Sequence, residues 1–359
     1  MLEGLRIIEI EGIGPGPFAA MWLADMGADV ICIQRPEGPS LPGMEGPNLL
    51  DRGKRTIALD LKSDDDLAVV KALIATADGL IEGMRPGVME RLGLGPDACH
   101  ALRPALVYGR MTGWGQSGPR AAEAGHDLNY IALSGALWYA SPPGQPPQTP
   151  PTLVGDIGGG AMYLVAGMLA GLLRAGRTGQ GTVVDAAIVD GSAHMMALVA
   201  SMLPSGMFQL ARGQSLLDGA HWSRSYLCAD GGWMSVQCLE PKFYTAFLRL
   251  LGLEKDADFA RQYDRELWPA LAGRLEALFT TRPRDHWTAL FAGSDACVAP
   301  VLSPFEAARD PHMAARVSWA TGDLLQPSPA PRFDGRAAKP GDIPARDQHR
   351  DEIMALLNR

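Results

Sequence analysis

Two short polar segments contain the side chains that could move protons. The first, residues 124–130, holds His126 and Asp127, and the second, residues 153–160, holds Asp156 before three consecutive glycines. An imidazole and a carboxyl group facing one site suit a reaction that removes a proton from one side of a carbon and returns it on the other. Each aspartate could equally be a helix N-cap. The glycines favour a catalytic Asp156, because glycine is costly at a helix start unless something must approach the backbone closely.

Alternating strand and helix patterns must position these segments. Helices are predicted between the strands, and a helix N-cap is predicted at Asp156. Strands that alternate with helices indicate a Rossmann-like parallel sheet, in which ligands bind outside the carboxyl ends of the strands. The predicted strands are residues 5–10, 28–34, 56–61, 79–82 and 105–110, and the predicted helices are residues 18–26, 64–77 and 96–102.

The later part of the chain has a different pattern, which predicts a second domain. A proline-rich loop leads to Asp156, a hairpin is predicted over residues 226–238, and three amphipathic helices follow it. We therefore expect a fold of class α/β, with a Rossmann-like parallel-sheet large domain and a smaller α+β domain. The expected boundaries are 1–185 for the large domain, completed by 330–359, 186–218 for linker helices, and 219–329 for the small domain.

Composition narrows the class of protein. A formal net charge of -8 argues against non-specific binding of nucleic acid, and 47% hydrophobic residues argue against disorder. The apolar stretches 157–173 and 186–203 are predicted to be buried helices rather than membrane spans. Five scattered cysteines without a CxxC pair, and no signal-peptide pattern, predict reduced thiols in the cytoplasm. No His/Cys/Asp set has the spacing of metal ligands.

A glycine-rich turn, residues 12–17, follows the first strand and raises the possibility of a dinucleotide site. The third glycine of the dinucleotide motif would fall at Pro17, and the second strand ends at Arg35 instead of an acid that could hold a ribose. Both features argue against an NAD-dependent enzyme, and an arginine suits a phosphate instead. Several basic residues of the first domain are therefore expected to bind phosphates. The candidates, of which several are expected to do so, are Arg35, Arg52, Lys54, Arg55, Lys62, Arg85 and Arg91.

Nine motifs carry a resemblance to a known family. They are GLRIIEIEGIGPGP, LDLKSD, IEGMRPGVMERLGLGP, GRMTGWGQSGP, AGHDLNY, LVGDIGGG, VVDAAIVDG, LEPKFY and SDACVAPVL. The chain resembles the family III (CaiB/BaiF-like) CoA transferases nearly end to end and, within that family, its racemase branch. The resemblance implies interconversion of (2R)- and (2S)-2-methylacyl-CoA thioesters by 1,1-proton transfer through an enolate. It implies no separate cofactor, because CoA is part of the substrate.

The resemblance also implies an assembly and roles for residues. It implies an interlocked homodimer in which each active site lies between the large domain of one chain and the small domain of the other. His126 and Asp156 match the acid/base pair, and Glu240 matches a glutamate that hydrogen-bonds the histidine. The positions implied to contact CoA are Arg35, Leu59, Asp60, Leu61, Lys62, Gly83, Met84, Arg85, Arg91, Gly125, Asp127, Leu128, Asn129 and Tyr130.

Alternative functions stay open at this point. Asp127 aligns with the nucleophile of the transferase members, so a CoA transferase is the nearest alternative. A non-catalytic CoA-binding protein would need the arginines but not His126. Two departures from the racemase pattern, at residues 222–224 and 51–55, leave the acyl group and the phosphate contacts open. Four methionines, at 195, 196, 202 and 207, are predicted either to be core or to offer the acyl chain an adaptable apolar surface.

Overall fold

The chain forms two compact units. The computed structural model describes residues 1–38, 46, 48–320, 322 and 324–358. The first unit comprises Met1–Ala136, Pro150–Met195 and Ala308–Arg359, and the second comprises Leu137–Thr149 and Met196–Ala307. The division departs from the predicted one in three places. The loop at 137–149 belongs to the second unit, the helix ending at Met195 belongs to the first instead of a linker, and the chain returns to the first unit at 308 instead of 330.

A six-stranded parallel sheet lies at the centre of the first unit. Its strands are β1 (Arg6–Ile10), β2 (Asp29–Gln34), β3 (Arg55–Ala58), β4 (Gly79–Glu82), β5 (Val107–Thr112) and β6 (Thr182–Ala187). Their order is β3-β2-β1-β4-β5-β6, so the strand order reverses between β1 and β4. Ligands of open parallel sheets bind at such a switch point, outside the carboxyl ends of the strands. The predicted Rossmann-like sheet is confirmed.

Helices cover both faces of this sheet. They are α1 (Pro15–Asp25), α2 (Asp64–Ala75), α3 (Val88–Arg91), α4 (Pro96–Leu102), α5 (Asp127–Ser134), α6 (Met162–Thr178) and α7 (Ile188–Met195). Ile8 packs into the cluster that includes α2, and its neighbour Ile7 packs into the opposite cluster with α1 and α6. Successive strand residues point to opposite faces, and both faces are buried. The strands are therefore continuous apolar runs, which is why the sequence predicted them.

A π-helix, Leu153–Ala161, precedes α6 and continues into it. Together they form one helical stretch of 26 residues that is long and apolar enough to cross a membrane by length and composition. In this structure Leu164 and Met168 of the stretch pack into the core of the first unit. The π-helix also packs closely on α7, because a Cβ added to Gly191 would overlap the carbonyl group of Gly159. The glycines of LVGDIGGG therefore do permit a close backbone approach, and the approaching element is α7.

The second unit has its own small sheet and core. Its elements are α8 (Ala197–Met202), β7 (Ser223–Leu227), β8 (Trp233–Gln237), α9 (Pro241–Leu250), α10 (Trp268–Phe279), α11 (Arg284–Phe291), β9 (Val298–Val301) and α12 (Pro304–Ala307). The sheet is antiparallel, in the order β7-β8-β9, so the predicted hairpin is confirmed. Trp222 is fully buried in the aromatic core, and Arg224 pairs with Glu276 at 3.4 Å. Trp222 and Arg224, which lie in the segment that departs from the racemase pattern, thus have structural partners inside this unit.

The last segment of the chain returns to the first unit. Its elements are α13 (Pro311–Ala315), β10 (Trp319–Ala320), β11 (Gln326–Pro327) and α14 (Arg350–Leu356). Asp347 Oδ1 accepts the amide of Ala58 at 2.7 Å, and the amide of His349 donates to the carbonyl of Thr56 at 3.0 Å. Ile353 is fully buried against the sheet. The carboxyl-terminal segment therefore belongs to the first unit.

Candidate active site

His126 stands at the start of α5, where it takes the N-cap position. Its amide donates to Asn129 Oδ1 at 3.1 Å, which fixes the backbone at the helix entrance. Tyr130 is buried edge-on against Trp114, with the ring centroids 4.7 Å apart, and its hydroxyl donates to the carbonyl of Gly125. The imidazole itself is exposed. The main chain on both sides of His126 is thus held firmly while the ring remains accessible.

Asp156 lies within the π-helix, so the predicted N-cap at this position is wrong. The N-cap is Thr152, which has a φ of 63°. The helix therefore begins at Leu153, three residues before Asp156. The Asp156 carboxyl group is half-buried and borders the glycine-rich turn after β1. A Cβ added to Gly14 would lie 3.6 Å from Asp156 Oδ2. Asp156 therefore sits above the carboxyl end of β1, beside the switch point of the sheet.

Asp127 joins the two polar segments. Its Oδ1 accepts the amides of Gly155 and Asp156, both at 2.9 Å, and the residue is buried. The approach requires glycine, because a Cβ at position 155 would lie 2.5 Å from Asp127 Oδ1. Since His126 directly precedes Asp127, these bonds bring His126 and Asp156 to one site.

The environment of Asp156 favours its neutral form. The pKa of this carboxyl group is raised from 3.8 to about 6, mainly by burial and also by the negative charge of Asp127, while the positive charge of protonated His126 opposes the rise. The three groups are therefore electrostatically coupled. A carboxyl group with such a pKa can give up a proton or take one near neutral pH.

The amides near Asp156 are not free to stabilise an enolate. Those of Gly155 and Asp156 donate to Asp127, and that of Ile157 donates to the carbonyl of Thr152 at 3.0 Å. Among the described residues no acceptor takes the first-turn amides of α5, those of Asp127 and Leu128. A helix start of this kind is a general donor site for negative charge.

The positions implied to contact CoA gather along the carboxyl edge of the sheet. Arg35 follows β2, residues 59–62 follow β3, residues 83–85 follow β4, and Arg91 ends α3. The four cationic side chains, Arg35, Lys62, Arg85 and Arg91, are exposed and have no carboxylate partner within the described ranges. Leu59 and Tyr130 are buried, so only their main chain could contact a ligand.

Three other basic residues that were expected to bind phosphates have carboxylate partners instead. Arg52 pairs with Asp25 at 2.6 Å, Lys54 with Glu9 at 2.5 Å, and Arg55 with Asp29 at 2.6 Å. Arg52 and Lys54 are also buried. The phosphate prediction is therefore wrong for these residues, because their charges already hold strands and helices of the first unit together.

Glu240 lies in the second unit, at the N-cap of α9. Its carbonyl accepts the amides of Phe243 and Tyr244, both at 3.0 Å, and the residue is exposed. Its carboxyl group has no hydrogen-bond partner in the part of the chain that the structure describes. The side chain is therefore available to another group.

Sequence reasoning missed two structural roles that shape the site, the capping role of Asn129 and the close contact at Gly155. Asn129 stands three residues after the N-cap His126, which is the spacing of a capping box and was a usable signal. Gly155 carries no comparable signal, because its role depends on contact with Asp127 and Ile131 of another helix.

The Rossmann-like sheet has a His/Asp pair at its switch point and free cations along the same edge. These features are those of an enzyme that acts on a phosphate-bearing substrate, and comparison with known proteins supports this class. The chain belongs to the CoA-transferase family III, which it matches over residues 2–350. It is 38% identical to the alpha-methylacyl-CoA racemase of Mus musculus, over 99% of this chain and 92% of that protein. It is 37% identical to the alpha-methylacyl-CoA racemase of Homo sapiens, over 98% and 92%. A crystal structure of a CaiB/BaiF family protein from Brucella suis matches with a TM-score of 0.82 at 26% identity, over 99% of both chains.

Proposed function

We propose that the protein is an acyl-CoA isomerase that interconverts (2R)- and (2S)-2-methylacyl-CoA thioesters. The observation that carries this proposal is the pairing of His126 with Asp156, whose carboxyl pKa of about 6 suits a reversible proton carrier. The identity of 37–38% to racemases over nearly the whole chain supports the same reaction. The nearest alternative, a CoA transferase, needs Asp127 as a nucleophile, and Oδ1 of that carboxylate already accepts two amides.

The proposed reaction has two proton transfers. The thioester carbonyl acidifies the C2–H bond, and one of His126 and Asp156 removes that proton. The C–H electron pair then forms an enolate, whose oxygen accepts hydrogen bonds from the first-turn amides of α5. The other residue delivers a proton to the opposite face of C2, and the carbonyl reforms. The sum of protons and electrons is unchanged, so the reaction needs no redox cofactor.

The raised pKa of Asp156 lets one enzyme work in both directions. At pH 7 a carboxyl group with a pKa of about 6 is protonated in roughly one molecule in ten, against fewer than about one in a thousand at its usual value of 3.8. In one direction neutral His126 is the base and protonated Asp156 is the acid. In the other, the same two groups exchange roles with the same total number of protons.

The cations along the sheet edge fit the CoA portion of the substrate. Arg35, Lys62, Arg85 and Arg91 are free to bind its phosphates. Binding energy from this remote part of the substrate then holds C2 between the two proton carriers.

Isotope exchange in heavy water tests the proposed function. The wild-type enzyme is expected to replace the C2 hydrogen of (2R)- or (2S)-2-methylacyl-CoA with deuterium and to form both enantiomers. Proton NMR follows the exchange, and chiral chromatography of the released acid follows inversion. A thioester without a C2 hydrogen is the control and should not change. Binding of the thioester without any exchange would contradict the proposal and favour a non-catalytic binding protein.

We further propose that the active enzyme is a homodimer in which Glu240 of one chain orients His126 of the other. The resemblance implies this arrangement, and the exposed, unengaged carboxyl group of Glu240 is consistent with it. Glu240→Gln should then lower racemisation by about tenfold or more, the range for groups that orient an imidazole.

Complementation tests whether the site is shared between chains. Co-expression of His126→Asn with Glu240→Gln gives some mixed dimers. If the site combines two chains, each mixed dimer has one site with both native residues and recovers activity. If both residues of a site come from one chain, the mixed dimers stay as inactive as their parents, and the proposed sharing is wrong.

A further inference from the structure

We propose that Asp127 is a positioning residue whose carboxylate holds Asp156 in place for proton transfer. This inference rests on the proposed function, since it gives Asp127 a part in racemisation instead of an attack on the thioester. It is carried by the two hydrogen bonds, the burial and the close packing around this one side chain.

The first step of the argument is the start of the π-helix. The leading amides of any helix lack partners inside that helix and need acceptors from elsewhere. Here Asp127 Oδ1 supplies the acceptor for Gly155 and Asp156 from a different helix, at 2.9 Å in both cases. One of the two bonds is to the main chain of the proposed proton carrier itself. Any movement of Asp127 therefore moves the backbone from which the Asp156 carboxyl group projects.

The second step is the packing that fixes Asp127. Asp127 and Ile131 are one turn apart on α5 and both contact Gly155, where an added Cβ would lie 2.5 Å from Asp127 Oδ1 and 2.9 Å from Ile131 Cγ2. Asp127 is 8% exposed, so solvent does not compete for its oxygens. Helix α5 and the π-helix are thus locked together at this contact, and π-helical segments in proteins are frequently functional.

The third step concerns charge. The carboxylate of Asp127 is one of the groups that raise the pKa of Asp156, and it therefore adjusts the protonation of the carrier as well as its position. An attack on a thioester through Asp127 Oδ1 would withdraw the acceptor from the amides of Gly155 and Asp156 and leave them unpaired. Positioning and nucleophilic attack through Oδ1 are therefore competing uses of one oxygen atom.

Two substitutions at this position separate the roles. Asp127→Asn retains a carbonyl oxygen that can accept both amides, and we expect its kcat to stay within about tenfold of the wild type. Asp127→Ala removes the acceptor, and we expect kcat to fall about 100-fold, the cost of misplacing a reacting group by roughly 1 Å, with little change in KM. In Asp127→Asn the pH–rate profile should also move to lower pH, because the negative charge that raises the pKa of Asp156 is gone. A purely structural role would not move this profile.

The outcomes distinguish this inference from the proposed function. Asp97→Asn, an exposed first-turn aspartate of α4, is the matched control and should leave rate and pH profile unchanged. If wild type exchanges the C2 hydrogen but Asp127→Asn is as inactive as Asp127→Ala, or its pH profile does not move, the positioning role is wrong. If Asp127→Ala fails to fold, Asp127→Asn alone decides by the same two readouts. A CoA adduct on Asp127 found by mass spectrometry after incubation with acyl-CoA and an acid acceptor would overturn the proposed function as well.

Discussion

We expect Asp156→Asn and His126→Asn each to lower racemisation by at least about 10³-fold, the contribution of a lost general acid or base. Neither variant should be inert. With Asp156 neutralised, His126 can still remove a C2 proton and return a deuteron from heavy water to the same face. One enantiomer of the substrate then exchanges without inversion. His126→Asn should show the mirror result, in which only the other enantiomer exchanges, because the remaining base lies on the opposite face of C2.

The two variants control for each other. The test measures exchange of separate (2R)- and (2S)-thioesters by NMR, with chiral chromatography of each product. Opposite enantiomer preference requires two proton carriers on opposite faces, and no single-base mechanism produces it. If both variants exchanged the same enantiomer, or if His126→Asn racemised at the wild-type rate, the two-carrier mechanism would be wrong.

The sequence was sufficient to predict the secondary-structure elements that are determined by a local pattern of residues. Buried strands with apolar residues on both faces were predicted, and β4 and α4 were predicted with the observed bounds. The π-helix was not, because the ordinary helix start expected at Asp156 is displaced to Thr152, whose positive φ has no signature in the sequence.

The roles of the charged residues required tertiary structure. Lys54 and Lys62 are the same residue type in neighbouring segments. Both are basic residues near predicted strand ends, and both were therefore candidates for binding phosphate. Lys54 turns inward to Glu9, 45 positions away, whereas Lys62 is exposed after β3. The same holds for Asp127, which is next to the predicted histidine but binds the main chain of a segment 28 and 29 positions away. Residue type identified these groups, and only packing assigned their partners.

The pair formed by Lys54 and Glu9 carries the largest expected effect on stability. Lys54 Nζ lies 2.5 Å from Glu9 Oε2 and also donates to the carbonyl of Pro17 at 3.2 Å, and both charged residues are almost fully buried. Lys54→Met leaves the Glu9 carboxylate buried without its cation, and we expect the free energy of unfolding to fall by about 3–5 kcal/mol. Urea denaturation at alkaline pH, where the Glu9 carboxyl group of the wild type is ionised, measures this loss.

The pH dependence of the loss has a definite sign. Burial raises the pKa of Glu9 from 4.5 to about 7 even with Lys54 present. The folded state therefore disfavours the ionised form, and Glu9 removes stability as the pH rises from about 4.5 through 7. Without Lys54 the pKa of Glu9 must rise further, because the attraction of the cation is gone. The deficit of Lys54→Met should thus be smallest near pH 5 and largest at alkaline pH.

Two further variants decide between a buried pair and a phosphate contact at Lys54. The double variant Glu9→Leu/Lys54→Met should recover most of the lost stability, because an apolar pair of similar volume often replaces a buried ion pair without cost. Lys62→Met, the exposed counterpart, should leave stability unchanged and raise KM for the CoA thioester. If Lys54→Met kept its stability and raised KM in the same way, the buried-pair explanation would be wrong. Lys54 would then belong with Arg35, Lys62, Arg85 and Arg91 as a group that binds the phosphates of CoA.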